Sequence, residues 1–354
     1  MRVKKRNPLS ARHQFSTDPV LRLTDYQLEI RDMVAGQIDS GFYKLESQSC
    51  CICRTSDDEL ISERERYGLK NSTVLCKSCG LLRTDPVLRQ QDYADFYFNS
   101  YRSLYFEEKY ATEEFFESQK RGGQNIAAFL NTVITLPKES LVLDVGCGAG
   151  GMVQAFVDNG YQGIGIDYDE NYLQRGRQNN LDLREGNIFS FQNAEKPSLV
   201  IYSHVLEHVH DPNVELQEVR TQLRDDGYLY VELPGIKRDL RALYRADLIR
   251  FFHIAHIHHF TLTTLTNLLQ RNGFELVGGN ENIQSVWKKG DVQQSIDSDY
   301  HPVRNFLVQT EKYRHLLAIR AFVKLRGLQA TSIFLKKLGL YSTARSVFRK
   351  VRGK

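Results

Sequence analysis

The stretch LVLDVGCGAGG, residues 141–151, constrains the fold more than any other part of the chain. A short apolar run carries Asp144, three glycines alternate at 146, 148 and 150, and a helical pattern follows with Met152, Val153, Phe156 and Val157 on one face. Glycines in that rhythm are needed where the backbone turns tightly and a ligand approaches the main chain with no side chain intervening. Strands and helices then alternate: GIGID (163–167), a helix to about Asn179, LDLRE (181–185), SLVIYS (198–203), a helix through Leu216 and Val219, and YLYVEL (228–233). A helix at 261–272 and strands around FELVGG and IQSVWKK complete the run. Nearly continuous apolar strands separated by helices predict an α/β fold with a doubly wound, mostly parallel sheet of seven strands, covered on both faces.

With Gly151 the glycines also satisfy GxGxxG, so a nicotinamide-dependent dehydrogenase stands as one reading. Asp144 argues against it, because a carboxylate just before the first glycine repels a diphosphate and suits a cationic amino acid moiety. Asp167 closes the second strand, where a carboxylate grips ribose hydroxyls in either fold. Asn187, in REGNIF, can offer an amide to an adenine edge. Taken in order, DVGCGAG, GIGID, EGNIF, VIYSHVLEHVHDP and LRDDGYLYVELP resemble the motifs of class I S-adenosylmethionine (SAM) dependent methyltransferases, over residues 140–290. The resemblance implies a Rossmann-like SAM-binding domain. It places Asp144, Gly146, Gly148 and Gly150 around the methionine part of SAM, Asp167 on the ribose and Asn187 at the adenine. The family's usual aspartate at this last position is replaced here by Asn187. Ser203 ends the fourth strand on the side where such sheets bind ligands, and is grouped with the cofactor residues.

Upstream, Cys50 and Cys53 form one Cys-x-x-Cys pair, and Cys76 and Cys79 a second. Four thiolates close a tetrahedral Zn2+ shell with no open position, so the expected role is structural. The segment reads as loop-rich and too small to fold on apolar burial alone, which bound metal would offset. Cys51 is a spare thiol beside the set, and free thiols in a small core are the alternative. The domain plan is therefore a helical arm (1–49), a zinc-binding module (50–83), a helical linker or lid (84–139), the SAM-binding domain (140–290) and a basic helical extension (291–354). This module followed by the SAM motifs and then by HIAHIHHFTLTTL resembles bacterial methyltransferases of surface-polysaccharide and deoxysugar pathways, including the sugar C-methyltransferases.

Methyl transfer to a hydroxyl or a carbon acid needs a base, and histidine suits neutral pH. His204 leaves the fourth strand, with Glu207 and His208 expected at the start of the next helix. The sugar C-methyltransferase resemblance implies that such a Glu-His pair assists proton abstraction; the alternative is a histidine that only satisfies backbone groups. A second cluster, His253, His256, His258 and His259, matches no helical metal-ligand spacing and has no acid nearby in sequence. It is read as a cover over the acceptor, touched by His256 or His259. The expected reaction is methyl transfer from SAM to a sugar carbon or oxygen on a nucleotide sugar or glycan. A lipid or small-metabolite acceptor and a non-catalytic SAM-binding scaffold are the rival classes.

The net charge of +4 is unevenly spread: from Arg304 onward there are 13 Lys/Arg and one acid, Glu311, a net +12, leaving −8 for the rest. Short amphipathic helices are expected across 314–352, with Tyr341, Ala344, Phe348 and Val351 on one stripe and Arg345, Arg349 and Arg352 on another. Such a helix suits an anionic membrane surface or a phosphate-bearing acceptor. No nucleic-acid motif accompanies the charge, so nucleic acid is not the expected partner. With no spanning segment or signal-peptide pattern, the expected compartment is the cytoplasm, with peripheral contact at the inner membrane.

Overall fold

The computed structural model describes residues 7–106, 110–237, 240 and 244–337. Short strands β1 (Leu45–Glu46) and β5 (Val87–Leu88) pair antiparallel. Between them β2 (Asp58–Arg64), β3 (Lys70–Cys76) and β4 (Leu82–Thr84) form an antiparallel sheet. The cysteine segment is thus less loop-rich than its composition suggests. Ile61, Leu75 and Leu82 share one core, while Asp58 of β2 turns inward to accept from the buried Arg83 Nη2 at 2.7 Å, so charge falls on both faces of β2 and masks the alternation in the sequence. The open edge of β4 is covered by a strand from far along the chain, β11 (His258–His259), paired His258 to Arg83 and His259 to Leu82. Covering an edge satisfies a row of backbone groups that would otherwise await another strand.

The second sheet has seven strands in the order β12-β13-β10-β9-β6-β7-β8. Its members are β6 (Leu141–Val145), β7 (Gln162–Asp167), β8 (Asp182–Glu185), β9 (Leu199–Ser203), β10 (Tyr228–Glu232), β12 (Phe274–Gly279) and β13 (Ser285–Lys289). Only β13 runs against its neighbours. The expected mostly parallel, Rossmann-like sheet is present. Leu143, Val200, Ile201, Tyr202, Leu229, Tyr230 and Trp287 are fully buried in its middle. The chain order reverses between β6 and β9, and in open sheets of this kind ligands bind outside the carboxyl ends of the strands at that switch.

Cys50, Ile52 and Leu81 share one apolar core with Leu206, Phe260 and Leu268, so the cysteine segment packs directly onto the large sheet's domain. The carboxyl-terminal segment forms a single helix over Tyr300–Lys337 rather than several short ones. Val303 and Leu307, one helical turn apart, bury against Ile61, Leu75 and Leu82, and Arg304 and Tyr300 hold Glu59. Its first turns therefore belong to the folded body. The stripes through Tyr341, Ala344, Phe348 and Val351 and through Arg345, Arg349 and Arg352 lie outside the described residues. Among the described residues no helix is long and apolar enough to cross a membrane.

Candidate cofactor and acceptor site

At the switch point the end of β6 carries Asp144 and the glycine turn. Gly146 sits at φ +73°, and a Cβ there would lie 2.5 Å from Val205 Cγ2; at Gly150, φ +79°, it would lie 2.6 Å from Leu183 Cδ1. Both positions thus need glycine for conformation and for space. Asp144 is 3% exposed and its Oδ2 has no hydrogen-bond partner. Burial first, and the neighbouring Asp167 second, push its carboxyl up to about 8. A buried acid left without a donor is complementary to a cationic group, which fits the ammonium end of SAM.

Asp167 ends β7 and organises the turn: its Oδ2 accepts from Gly148 N (2.8 Å) and its Oδ1 from Asp169 N (2.9 Å). Burial raises its pKa against the pull of Arg102. Asn187 spends its side chain locally, with Oδ1 accepting from Phe189 N and Ser190 N and Nδ2 donating to Tyr168 Oη at 2.6 Å. The amide expected at an adenine edge is thus already engaged, and Tyr168 and Phe189 beside it are the exposed flat surfaces of this region.

Ser203 ends β9, half-buried. Past it, Leu206–His208 form a single 3-10 turn, and the next helix begins only at Pro212 behind its Asp211 cap. The expected placement of Glu207 and His208 on that helix is corrected, because Asp211 caps the helix and Pro212 starts it. Glu207 is 1% exposed and neither carboxylate oxygen has a hydrogen-bond partner. Around its Oε1 stand His204 Nδ1 (3.6 Å), His256 Nε2 (3.8 Å) and His208 Nε2 (3.9 Å). Glu207, His208 and His256 place one ligand atom each within 4.8 Å of one another, a set that could also hold a divalent ion. The acid absent from the sequence neighbourhood of the second histidine cluster is supplied by the fold.

His208 is oriented by a backbone carbonyl rather than by Glu207: its Nδ1 lies 2.7 Å from Ala255 O and so carries the proton, which leaves the Nε2 lone pair facing Glu207. Burial holds the ring below its ordinary 6.5. His253, His256, His258 and His259 are all buried, and desolvation lowers each. His256 joins Glu207, whereas His259 packs among Phe251, Phe252 and the His256 ring, with both nitrogens unpartnered.

Three features were not singled out in the sequence. Tyr93, Tyr97, Tyr101 and Tyr105, four residues apart on a helical segment that widens to a π-turn over Tyr97–Tyr101, wall the histidine cluster. Tyr97 and Tyr101 stack at 4.3 Å and both meet His208 edge-on at 5.8 Å. The four-residue spacing was the available signal. Arg102 lies 3.6 Å over the Tyr172 ring and 2.7 Å from Asp169. Gln119 Oε1 accepts from Ala149 N (3.1 Å) while its Nε2 donates to Cys147 O (3.0 Å), pinning the glycine turn. Neither had a sequence signal, since Arg102 meets Asp169 and Tyr172, and Gln119 the turn, only through the fold.

The four paired cysteines converge as their spacing predicts. Cys50 Sγ lies 3.4 Å from Cys79 Sγ, Cys53 Sγ lies 3.4 Å from Cys76 Sγ, and all four sulfurs fall within 4.8 Å of one another without a disulfide. Cys51 points elsewhere, 3.9 Å from His258 Nδ1.

Residues 116–278 match the methyltransferase-domain family. Over those residues the chain is similar to methyltransferase domains. Over 143 residues it is 29% identical to a probable S-adenosylmethionine-dependent methyltransferase of Mycolicibacterium smegmatis, covering 38% of this chain and 52% of that one. It is 34% identical over 113 residues to a ubiquinone biosynthesis O-methyltransferase of Actinobacillus pleuropneumoniae, covering 28% and 47%. The chain therefore spans about half the length of these relatives. Among solved structures, the 1,6-didemethyltoxoflavin-N1-methyltransferase of Burkholderia thailandensis aligns at 16% identity and a TM-score of 0.43, over 63% of this chain and 96% of that one. The matched stretch begins inside the helix Glu113–Val133, whose Gln119 holds the glycine turn.

Proposed function

We propose that this methyltransferase moves the methyl group of SAM onto a sugar carbon or oxygen, on a nucleotide sugar or glycan. The observation that carries the reading is the Glu207–His208–His256 cluster, set at the end of β9 beside the cofactor turn and walled by tyrosines. SAM, when bound, supplies an electrophilic methyl group on a sulfonium. Asp144, the glycine turn and Asp167 would hold it, and most of the acceleration then comes from fixing the acceptor near attack distance. The Tyr97–Tyr101 stack offers flat faces on which the apolar side of a sugar ring can rest.

The acceptor's proton leaves to His208 Nε2. The ring is neutral because burial holds its pKa low, and its tautomer is fixed by Ala255 O. Glu207 at 3.9 Å then faces the imidazolium that forms. His204 and His256 complete the wall on the acceptor side; His259 supports the His256 ring. A structural zinc on Cys50, Cys53, Cys76 and Cys79 would stabilise the module whose β4 carries β11, and with it the segment bearing His256. A second reading, a small phenolic acceptor, is favoured by the O-methyltransferase name of one relative. Incubation with labelled SAM and a panel of nucleotide sugars and hydroxylated aromatic compounds separates them. Label incorporated only into the aromatic compounds would replace the sugar reading with the second.

A further inference from the structure

Arg66 lies in the turn between β2 and β3, outside the residues matched by the methyltransferase-domain family. Its guanidinium stands 4.9 Å over the Tyr105 ring and 5.1 Å over the Tyr67 ring. Tyr105 in turn meets Tyr101 at 4.5 Å and holds His253 Nδ1 at 2.5 Å through its hydroxyl, and Tyr101 meets His208. Arg66 therefore stands at the far end of the same row of aromatic rings whose near end meets His208. Among the described residues no carboxylate oxygen comes within ion-pair distance of this guanidinium, and its Nε–H, shut off from solvent, has no acceptor. The adjacent Glu65 is not within ion-pair distance, and its Oε1 is engaged with the backbone, accepting from Tyr67 N (2.7 Å) and Leu69 N (2.8 Å).

A largely buried guanidinium with no ion pair among the described residues is unusual, because buried charges are ordinarily paired. The loop is nonetheless built to hold it in place. Arg66 N donates to Phe252 O (3.1 Å), Val20 N donates to Arg66 O (2.9 Å), and Arg31 Nη1 donates to Tyr67 O (3.0 Å). Gly68, at φ +80°, lets the turn pass where a Cβ would lie 2.2 Å from Thr17 O. A planar guanidinium whose Nε–H lacks an acceptor presents a fork that fits the oxygens of a phosphoryl or carboxylate group.

We infer that Arg66 is the anion subsite of the acceptor pocket, so that the molecule methylated carries a phosphoryl or carboxylate group at the end remote from the methylated atom. The inference rests on the methyltransferase reading of the cleft and narrows its substrate class. Neutral glycans and uncharged phenols are excluded by it.

The test is calorimetric titration of the full chain, first with S-adenosylhomocysteine and then, on the loaded protein, with inorganic pyrophosphate or malonate at constant ionic strength. The wild-type protein should bind one of the two anions at a single site, pyrophosphate marking a phosphoryl group and malonate a carboxylate. Arg66→Gln should weaken that binding at least tenfold and leave S-adenosylhomocysteine affinity unchanged, and Arg66→Lys should retain part of it. The melting temperature of Arg66→Gln without anion should equal or exceed that of wild type, since an unpaired charge has been removed; a clear fall would show a structural arginine and overturn the inference. So would wild-type protein that binds S-adenosylhomocysteine but neither anion, or a Gln variant that binds the anion equally well. Absence of S-adenosylhomocysteine binding by wild type would instead sink the methyltransferase reading itself, and this inference with it.

Discussion

Asp144→Asn should stabilise the cofactor-free protein at neutral pH while abolishing its response to the cofactor. The carboxyl of Asp144 ionises near 3.8 in the unfolded chain, but burial lifts it to about 8 in the fold. Between those values the folded state holds a proton that the unfolded state has released. Stability from this group is therefore greatest below pH 3.8 and drains away as pH rises toward 8. Each pH unit in that window is worth about 1.4 kcal/mol, so from pH 5 to pH 7 the group withdraws roughly 3 kcal/mol. Asparagine has nearly the same shape and does not titrate. In urea melts of ligand-free protein, the variant's advantage over wild type should therefore widen by about 3 kcal/mol between pH 5 and pH 7. Added SAM should reverse the order: a hundredfold excess over Kd contributes about 2.7 kcal/mol to wild type and little to the variant, which lacks the charge that meets the ammonium. An advantage that stays constant with pH, or an Asn variant with wild-type cofactor affinity, would refute the argument that this acid is held buried for a cation.

His208→Ala should lower turnover by about a hundredfold with SAM affinity nearly intact, measured by single-turnover kinetics and titration on one preparation. Because burial lowers the His208 pKa, the acid limb of kcat/KM should fall below 6.5, and a limb above that value would assign it to another group. Metal analysis should find one zinc per chain in wild type and none in a Cys53→Ser/Cys76→Ser variant, with Cys51→Ser unchanged; zinc retained by the double variant would count against the four-sulfur site. Tyr168→Ala should raise the SAM Kd several-fold by removing an exposed ring beside Asn187, and an unchanged Kd would place the adenine elsewhere.

How far the sequence reached depended on whether the relevant partners were close along the chain. The seven-stranded sheet was legible because each strand and the helix after it carry their own periodicity, and the glycine turn because conformation at Gly146 and Gly150 is a local demand. The cysteine set was legible for the same reason, since each Cys-x-x-Cys pair sits on one short turn. Contacts between separate elements were not. That β11 completes the sheet of the cysteine module is a pairing between His258–His259 and Leu82–Arg83, for which two histidines give no period-2 signal. That Glu207, a sequence neighbour of His204 and His208, also meets His256, that Ala255 O fixes the His208 tautomer, and that Gln119 pins the glycine turn all follow from packing between separate elements. Sequence determined which chemical groups the chain could bring to the switch point of its sheet, because periodicity and glycine placement are properties of neighbours. Tertiary structure alone decided which of them meet and which stay charged or neutral, because burial and electrostatic coupling depend on distance in space rather than along the chain.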